Sequence, residues 1–321
     1  MSAKKLSFTV HDVREMAKRF SNWGRWGADD EIGTVNFITP EKVCAGARLV
    51  RQGRIFGLAI PFDKDGPQTG FAGRVNPIHY MMQDGGDVVS GAQDWIPTLR
   101  YTDDAIVMPL QCATQWDALA HIFFDGKMYN DRPPSVVNSN GAEKNSIVPL
   151  RNKLATRGVL LDIPRLKKKD WLEPGEAIYP EDLDGAAKAE GVSVERGDIV
   201  LIRTGQMAMC RKQGAWGSYA GTSDAPGLSL TCAQWIYEKE IAGFATDTWG
   251  TEVLPNETPD VLQPIHCVSL VHTGILIGEI FDLDPLAADC AQDGVYEFFF
   301  VAPPLPITGA VGSPINPQAI K

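Results

Sequence analysis

The chain lacks most of the features that would settle its class at once. No run of 18 consecutive apolar residues occurs, which argues against a membrane-spanning helix. The six cysteines (Cys44, Cys112, Cys210, Cys232, Cys267 and Cys290) are scattered, with no C-x-x-C pair, so a cysteine-bound zinc cluster is not expected. Reduced, mostly buried thiols in a cytoplasmic protein are the simpler reading. Basic clusters are missing apart from Arg165 to Lys169, and the formal net charge is -10 with a pI of about 5.0. An acidic surface of this kind repels phosphate backbones, so nucleic acid is not an expected partner. There is no glycine-rich dinucleotide fingerprint, no P-loop, no internal repeat and no low-complexity linker. The first twenty residues carry Lys4 and Lys5 but no apolar h-region, and read as an amphipathic lead-in helix, not a signal peptide.

What is present is a chain of 321 residues, 44% hydrophobic, long enough to bury one large core. A single domain over residues 1–321 is expected, with residues 1–50 as a helical, aromatic N-terminal extension. Apolar or β-branched runs bounded by turn residues predict strands over 53–61, 105–110, 158–163, 197–203, 241–246, 275–281 and 295–303. Thr39-Pro40-Glu41 predicts a helix start, with threonine as cap and proline in the first turn. Further helices are expected from Pro180 to Glu190, closed by Gly191, and from Ser229 to Glu240. The tail from Ala302 to Pro317 reads as an ordered loop. Strands outnumber helices and do not alternate strictly with them. The fold class is therefore α/β with a mixed, largely antiparallel sheet, not a doubly wound one.

Two segments concentrate chemistry. Residues 111–121 read Q-C-A-T-Q-W-D-A-L-A-H. Thr114 followed by Asp117 resembles a capping box, which predicts a short helix with Asp117 and His121 on one face. If the stretch is extended instead, Gln111, Gln115 and Asp117 share a face. Either arrangement converges polar groups at the end of a strand. The same residues also fit helix capping and backbone satisfaction. In the second segment, His266 lies in an apolar helix-like stretch closed by Gly274, and Glu279 lies within the apolar run Ile275 to Phe281. A carboxylate buried there calls for a partner, and a cation is the simplest. An exposed edge strand or an arginine pair is the alternative. His79, after Asn76-Pro77, is a candidate pocket residue. His272 reads as structural and His11 as a surface residue.

With these residues the sequence resembles the cyclase/kynurenine-formamidase family of metal-dependent hydrolases, whose motif is H-x-G-T-H-x-D-x-P-x-H. Gln111, Ala113, Thr114, Gln115, Asp117, Leu119 and His121 occupy the motif's defined positions, so both motif histidines that bind metal are glutamine here. The pattern Q-x-x-x-Q-x-D-x-x-x-H resembles a glutamine-bearing branch similar to trans-dienelactone hydrolase. The family's later His and Glu are matched by His266 and Glu279, followed by Asp282-Leu283. Residues 22–33, 244–249 and 298–304 add further likeness.

The resemblance implies a β-barrel-like sheet with flanking helices. It implies one divalent metal ion, Mn2+ or Zn2+, held by Gln111, Gln115, Asp117, His266 and Glu279, with His121 as general base. Amide oxygens in place of imidazoles shift the donor set toward manganese, while family precedent allows zinc. The implied reaction is opening of a lactone or lactam, or cleavage of a formamide. A metal-free binding protein, or a cyclase or dehydratase on the same scaffold, is the alternative. A small-molecule substrate and a homo-oligomer, dimer or tetramer, are the implied partners. Trp23 and Trp26 are candidates for the substrate wall, with plain core packing as the alternative.

Overall fold

The structure, a computed structural model, describes residues 6–321. The first five residues of the expected lead-in helix lie outside the described residues, and the helix itself spans Val10–Arg19. Its start is fixed by a reciprocal capping box between Thr9 and Asp12.

Among the described residues fifteen strands form: β1 (Ile55–Gly57), β2 (Ile78–Gln83), β3 (Asp103–Val107), β4 (Gln115–Asp117), β5 (Val137–Asn138), β6 (Gly141–Ala142), β7 (Ala155–Asp162), β8 (Ala177–Ile178), β9 (Ile199–Arg203), β10 (Gly227–Leu228), β11 (Gly243–Thr246), β12 (Leu276–Glu279), β13 (Glu297–Val301), β14 (Gly312–Pro314) and β15 (Gln318–Ile320). Nine of them make one sheet in the order β1-β15-β13-β7-β9-β11-β12-β4-β14. The three contacts linking β7, β9, β11 and β12 are parallel, and the flanking ones are antiparallel. The mixed sheet expected from the element pattern is thus realised, with its parallel strands at the centre. Beyond β1 the chain returns toward the other end of the sheet. Ala59 bridges Phe281, Asp282 N–H donates to the Leu58 carbonyl, and Ile60 N–H donates to the Thr114 hydroxyl. The sheet is therefore strongly curled, a half-barrel.

The central strands are apolar on both faces, as expected where helices or strands cover each side. Val159, Leu161, Val200, Ile202, Phe244 and Ile277 pack on one face with the helices Val10–Arg19, Pro180–Ala189 and Cys232–Lys239. Leu160, Ile199, Leu201, Ala245 and Leu276 pack on the other with Trp116, Phe281, Phe298 and Phe300. The period of two is strict. Helices begin where the sequence placed Thr39-Pro40 and Pro180, and the third runs Cys232–Lys239. The C-terminal tail is not loop throughout, because β14 and β15 add to the sheet within and just beyond it.

The expected helix at Thr114 does not form. The Thr114 hydroxyl is used in tertiary contacts, donating to the Ile280 carbonyl at 2.6 Å and accepting from Ile60 N–H at 3.0 Å. Residues 115–117 instead pair with β12 on one side and β14 on the other. The extended alternative is the one adopted.

A candidate metal centre between two strands and a π-helix

The two chemically dense segments are neighbours. β4 and β12 pair antiparallel with Gln115 opposite Glu279 and Asp117 opposite Ile277. Trp116 points into the core on one face, so Gln115 and Asp117 project from the other, where Glu279 joins them. The helix that supplies His266 covers that face. It is a π-helix, His266–Thr273, ended by Gly274 in the left-handed conformation at φ 72°. His266 Nε2 lies 3.3 Å from Glu279 Oε1 and 3.7 Å from Asp117 Oδ2. One donor atom from each of these three residues falls within 4.8 Å of the other two, and all three side chains are buried.

A third acid completes the support, and nothing in the sequence singled it out. Glu252 accepts from His266 Nδ1 at 2.7 Å and from the backbone N–H groups of Ile265 and His266, each at 2.9 Å. One carboxylate thus caps the helix start and fixes the tautomer of its first histidine, leaving Nε2 free to face Asp117 and Glu279. Carboxylate support behind a histidine ligand is a recurrent arrangement in metal sites. Only the apolar flank Val253-Leu254 hinted that Glu252 is buried, and its 14-residue offset from His266 carries no periodic signal.

The electrostatics are those of anions crowded around too little positive charge. Burial, with the Asp117 charge added, raises the Glu279 carboxyl far above the usual range. Burial also pushes Asp117 upward, but His121 and a bond from His266 outweigh it and hold that carboxyl low. Burial disfavours the His266 imidazolium, yet Asp117, Glu252 and Glu279 together raise it well above the ordinary value. His121, 3.9 Å from Asp117, is pushed down by burial against the pull of Asp117. His121 sits on the tight turn after β4, its N–H donating to the Ala118 carbonyl.

These residues fit a divalent cation. The donor set is an imidazole nitrogen and two carboxylates, a charge match for 2+. The Gln115 amide nitrogen donates to Glu279 Oε2 at 2.9 Å, while its Oε1 is buried with no hydrogen-bond partner. A half-turn of that amide exchanges donor for acceptor. Gln111 Nε2 is likewise buried without a partner and packs over Gly312, which pairs with Asp117 across the β4–β14 ladder. The other candidates lie elsewhere. Trp23 stacks on His272 with centroids 4.5 Å apart and donates to the Val271 carbonyl, at the far end of the π-helix. Trp26 meets Phe37 edge-on. The His79 ring pairs with Asp104 at 2.7 Å on the exposed β2–β3 ribbon, outside the cluster.

The family model named Cyclase, described as "Putative cyclase", matches residues 56–253. The chain belongs to this cyclase family. A solved structure described as a novel cyclase is 39% identical, with a TM-score of 0.86 over 95% of this chain and 99% of that one. Two more distant structures share the cyclase-family fold. Isatin hydrolase A from Ralstonia solanacearum is 18% identical, with a TM-score of 0.63 over 88% of this chain and 97% of that one. A predicted metal-dependent hydrolase from Bacillus stearothermophilus is 17% identical, with a TM-score of 0.51 over 83% and 97%. No curated protein matches. Among the described residues, no helix of this cyclase-family chain is long and apolar enough to cross a membrane.

Proposed function

We propose that the protein is a metal-dependent hydrolase of a small cyclic ester or amide, or of a formamide, and that it belongs to the glutamine-bearing branch similar to trans-dienelactone hydrolase. The observation that carries this reading is the buried convergence of Asp117, His266 and Glu279, with Glu252 behind the histidine. Hydrolases among the structural neighbours add support by analogy of fold.

Asp117, His266 and Glu279 would hold the ion, with Gln115 and Gln111 supplying amide oxygens. A bound divalent ion would polarise the scissile carbonyl and acidify water. The rest falls to the chain's own groups. Glu252 keeps the His266 ring oriented. Neutral His121 takes the proton of the attacking water and returns it to the leaving oxygen or nitrogen as the C–O or C–N bond breaks. Asp117 stabilises the imidazolium formed between those transfers. The oxygen-rich donor set favours manganese, with zinc the alternative. Apolar side chains exposed on the β2–β3 ribbon, such as Ile78, Tyr80, Met82 and Val107, support a homo-oligomer, which mass measurement in solution tests.

The test is metal analysis of the purified protein, followed by a lactone, lactam and N-formylamine panel before and after chelation. Turnover should disappear with the metal and return with Mn2+ or Zn2+, and the product should gain the mass of one water. Failure to bind any added divalent cation overturns the proposal.

A further inference from the structure

One cation beside the centre is left without an anion. Arg74 has no ion pair and no side-chain hydrogen bond among the described residues. Its guanidinium lies over the Trp249 ring, 5.1 Å from the centroid. That ring packs in one cluster with Cys112 and Ala113, just before Gln115 in the chain, and with Ile280, just after Glu279, which sets the guanidinium beside the two strands of the centre. Arg74 is only half-buried.

The surroundings are built to hold it there. Gln68 donates to the Cys112 carbonyl at 2.7 Å and accepts from Trp249 Nε1 at 3.3 Å, tying the arginine's aromatic platform to the β4 segment. The loop from Gln68 to Asn76 is closed on itself by Gln68 N–H donating to Asn76 Oδ1 at 2.8 Å, with the Asn76 amide returning a bond to the Gln68 carbonyl. Within it, Arg74 N–H donates to the Phe71 carbonyl and Gly70 N–H to the Arg74 carbonyl. Trp249 belongs to an apolar cluster with Ile60, Cys112, Ala113 and Ile280, which adjoins the metal-centre strands.

We infer that Arg74, seated on Trp249, anchors a carboxylate of the substrate, so that the preferred substrates are small apolar rings bearing an acid group. This rests on the hydrolase reading and specifies its substrate class. A planar guanidinium without a protein partner is suited to bidentate capture of a carboxylate, and stacking on an aromatic face leaves its N–H edge free to do so. Attraction to Asp117 and Glu279 alone would need neither the tryptophan platform nor the glutamine brace.

Two measurements separate the anchor from the hydrolase reading. The first compares ring opening of phthalide-3-carboxylate with that of its neutral carboxamide, using the full chain loaded with Mn2+. Arg74→Met should lower kcat/KM for the acid roughly 10- to 100-fold, the range a charged hydrogen bond supports. The carboxamide should change less than about threefold, and Arg74→Lys should recover part of the loss, because it keeps the charge without the fork. The second is calorimetric binding of benzoate against benzamide to wild type and to Arg74→Met. Wild type should prefer benzoate, and the variant should not. Equal losses for acid and carboxamide, or a benzoate preference that survives Arg74→Met, overturn the inference. If no added divalent cation binds while the benzoate preference still depends on Arg74, the hydrolase reading fails and the anchor stands.

Discussion

The floor and the wall of the candidate site are built to opposite specifications. On the floor, Asp117 and His266 are 1% exposed and Glu279 4%, and each is fixed by strand pairing or by helix and carboxylate contacts. On the wall and the ribbon continuing from it, Phe71 is 40% exposed, Tyr80 49% and Met82 54%, and the loop is closed mainly by its own hydrogen bonds. The difference teaches where each task resides. Holding an ion needs donors kept within narrow limits by the core. Choosing a substrate is a task a surface loop can carry and vary at little cost to the fold.

The strongest way to break this contrast is to remove a floor carboxylate. Asp117→Asn should abolish divalent-metal binding and lower turnover by at least about a thousandfold, since one change removes a ligand and the partner of His121. Its thermal unfolding without metal should stay near wild type, because two like charges no longer share the cavity. Metal content and a melting curve decide it, and metal binding at wild-type strength would show that the three residues are not the centre. Next comes Glu252→Gln, which keeps an oxygen for the backbone N–H groups but loses the charge behind His266. Metal affinity should fall about 10- to 100-fold in a chelator competition, with secondary structure unchanged. No change would mean that the His266 orientation is set elsewhere.

A wall substitution should read differently. Gln68→Ala unties Trp249 from the Cys112 carbonyl, so KM should rise severalfold while metal affinity holds within about twofold. An equal loss of metal would erase the division between floor and wall. The smallest effect is expected at His272, distant from both. Burial against Trp23 lowers its value to about 4, against about 6.5 in the unfolded chain. Between those limits the unfolded state binds a proton that the folded state refuses, so stability is full above pH 6.5 and declines as pH falls toward 4. His272→Phe should flatten that part of a denaturation-against-pH series, and an unchanged slope would assign the decline to other groups.

Much of this was legible in the sequence, for identifiable reasons. The central strands announce themselves because burial on both faces demands continuous apolar runs such as 199–202. Glu279 was visible as a carboxylate set in an apolar run, and Asp117 as one of several polar groups spaced to converge with Gln111, Gln115 or His121. Thr114 misled because a cap and a tertiary hydroxyl bond use the same side chain, and only the approach of Ile60 and Ile280 selects between them. Glu252 and Arg74 stayed hidden because their meaning lies in partners far along the chain. The acid lies 14 residues before the histidine it supports, and the arginine's platform is Trp249.

The π-helix is secured at both ends by unrelated means. At its start Glu252 gathers two backbone N–H groups and the His266 ring, and at its finish the Gly274 carbonyl receives Thr34 N–H at 2.9 Å. Gly33 lies so close to that carbonyl that a Cβ would overlap it. A span of eight residues fastened at each end behaves as a beam, and its histidine cannot be tilted without loosening one of the two fastenings. Entry and exit of an ion would then have to be accommodated by motion elsewhere around the centre, so exchange kinetics should not follow the mobility of the segment that bears the ligand.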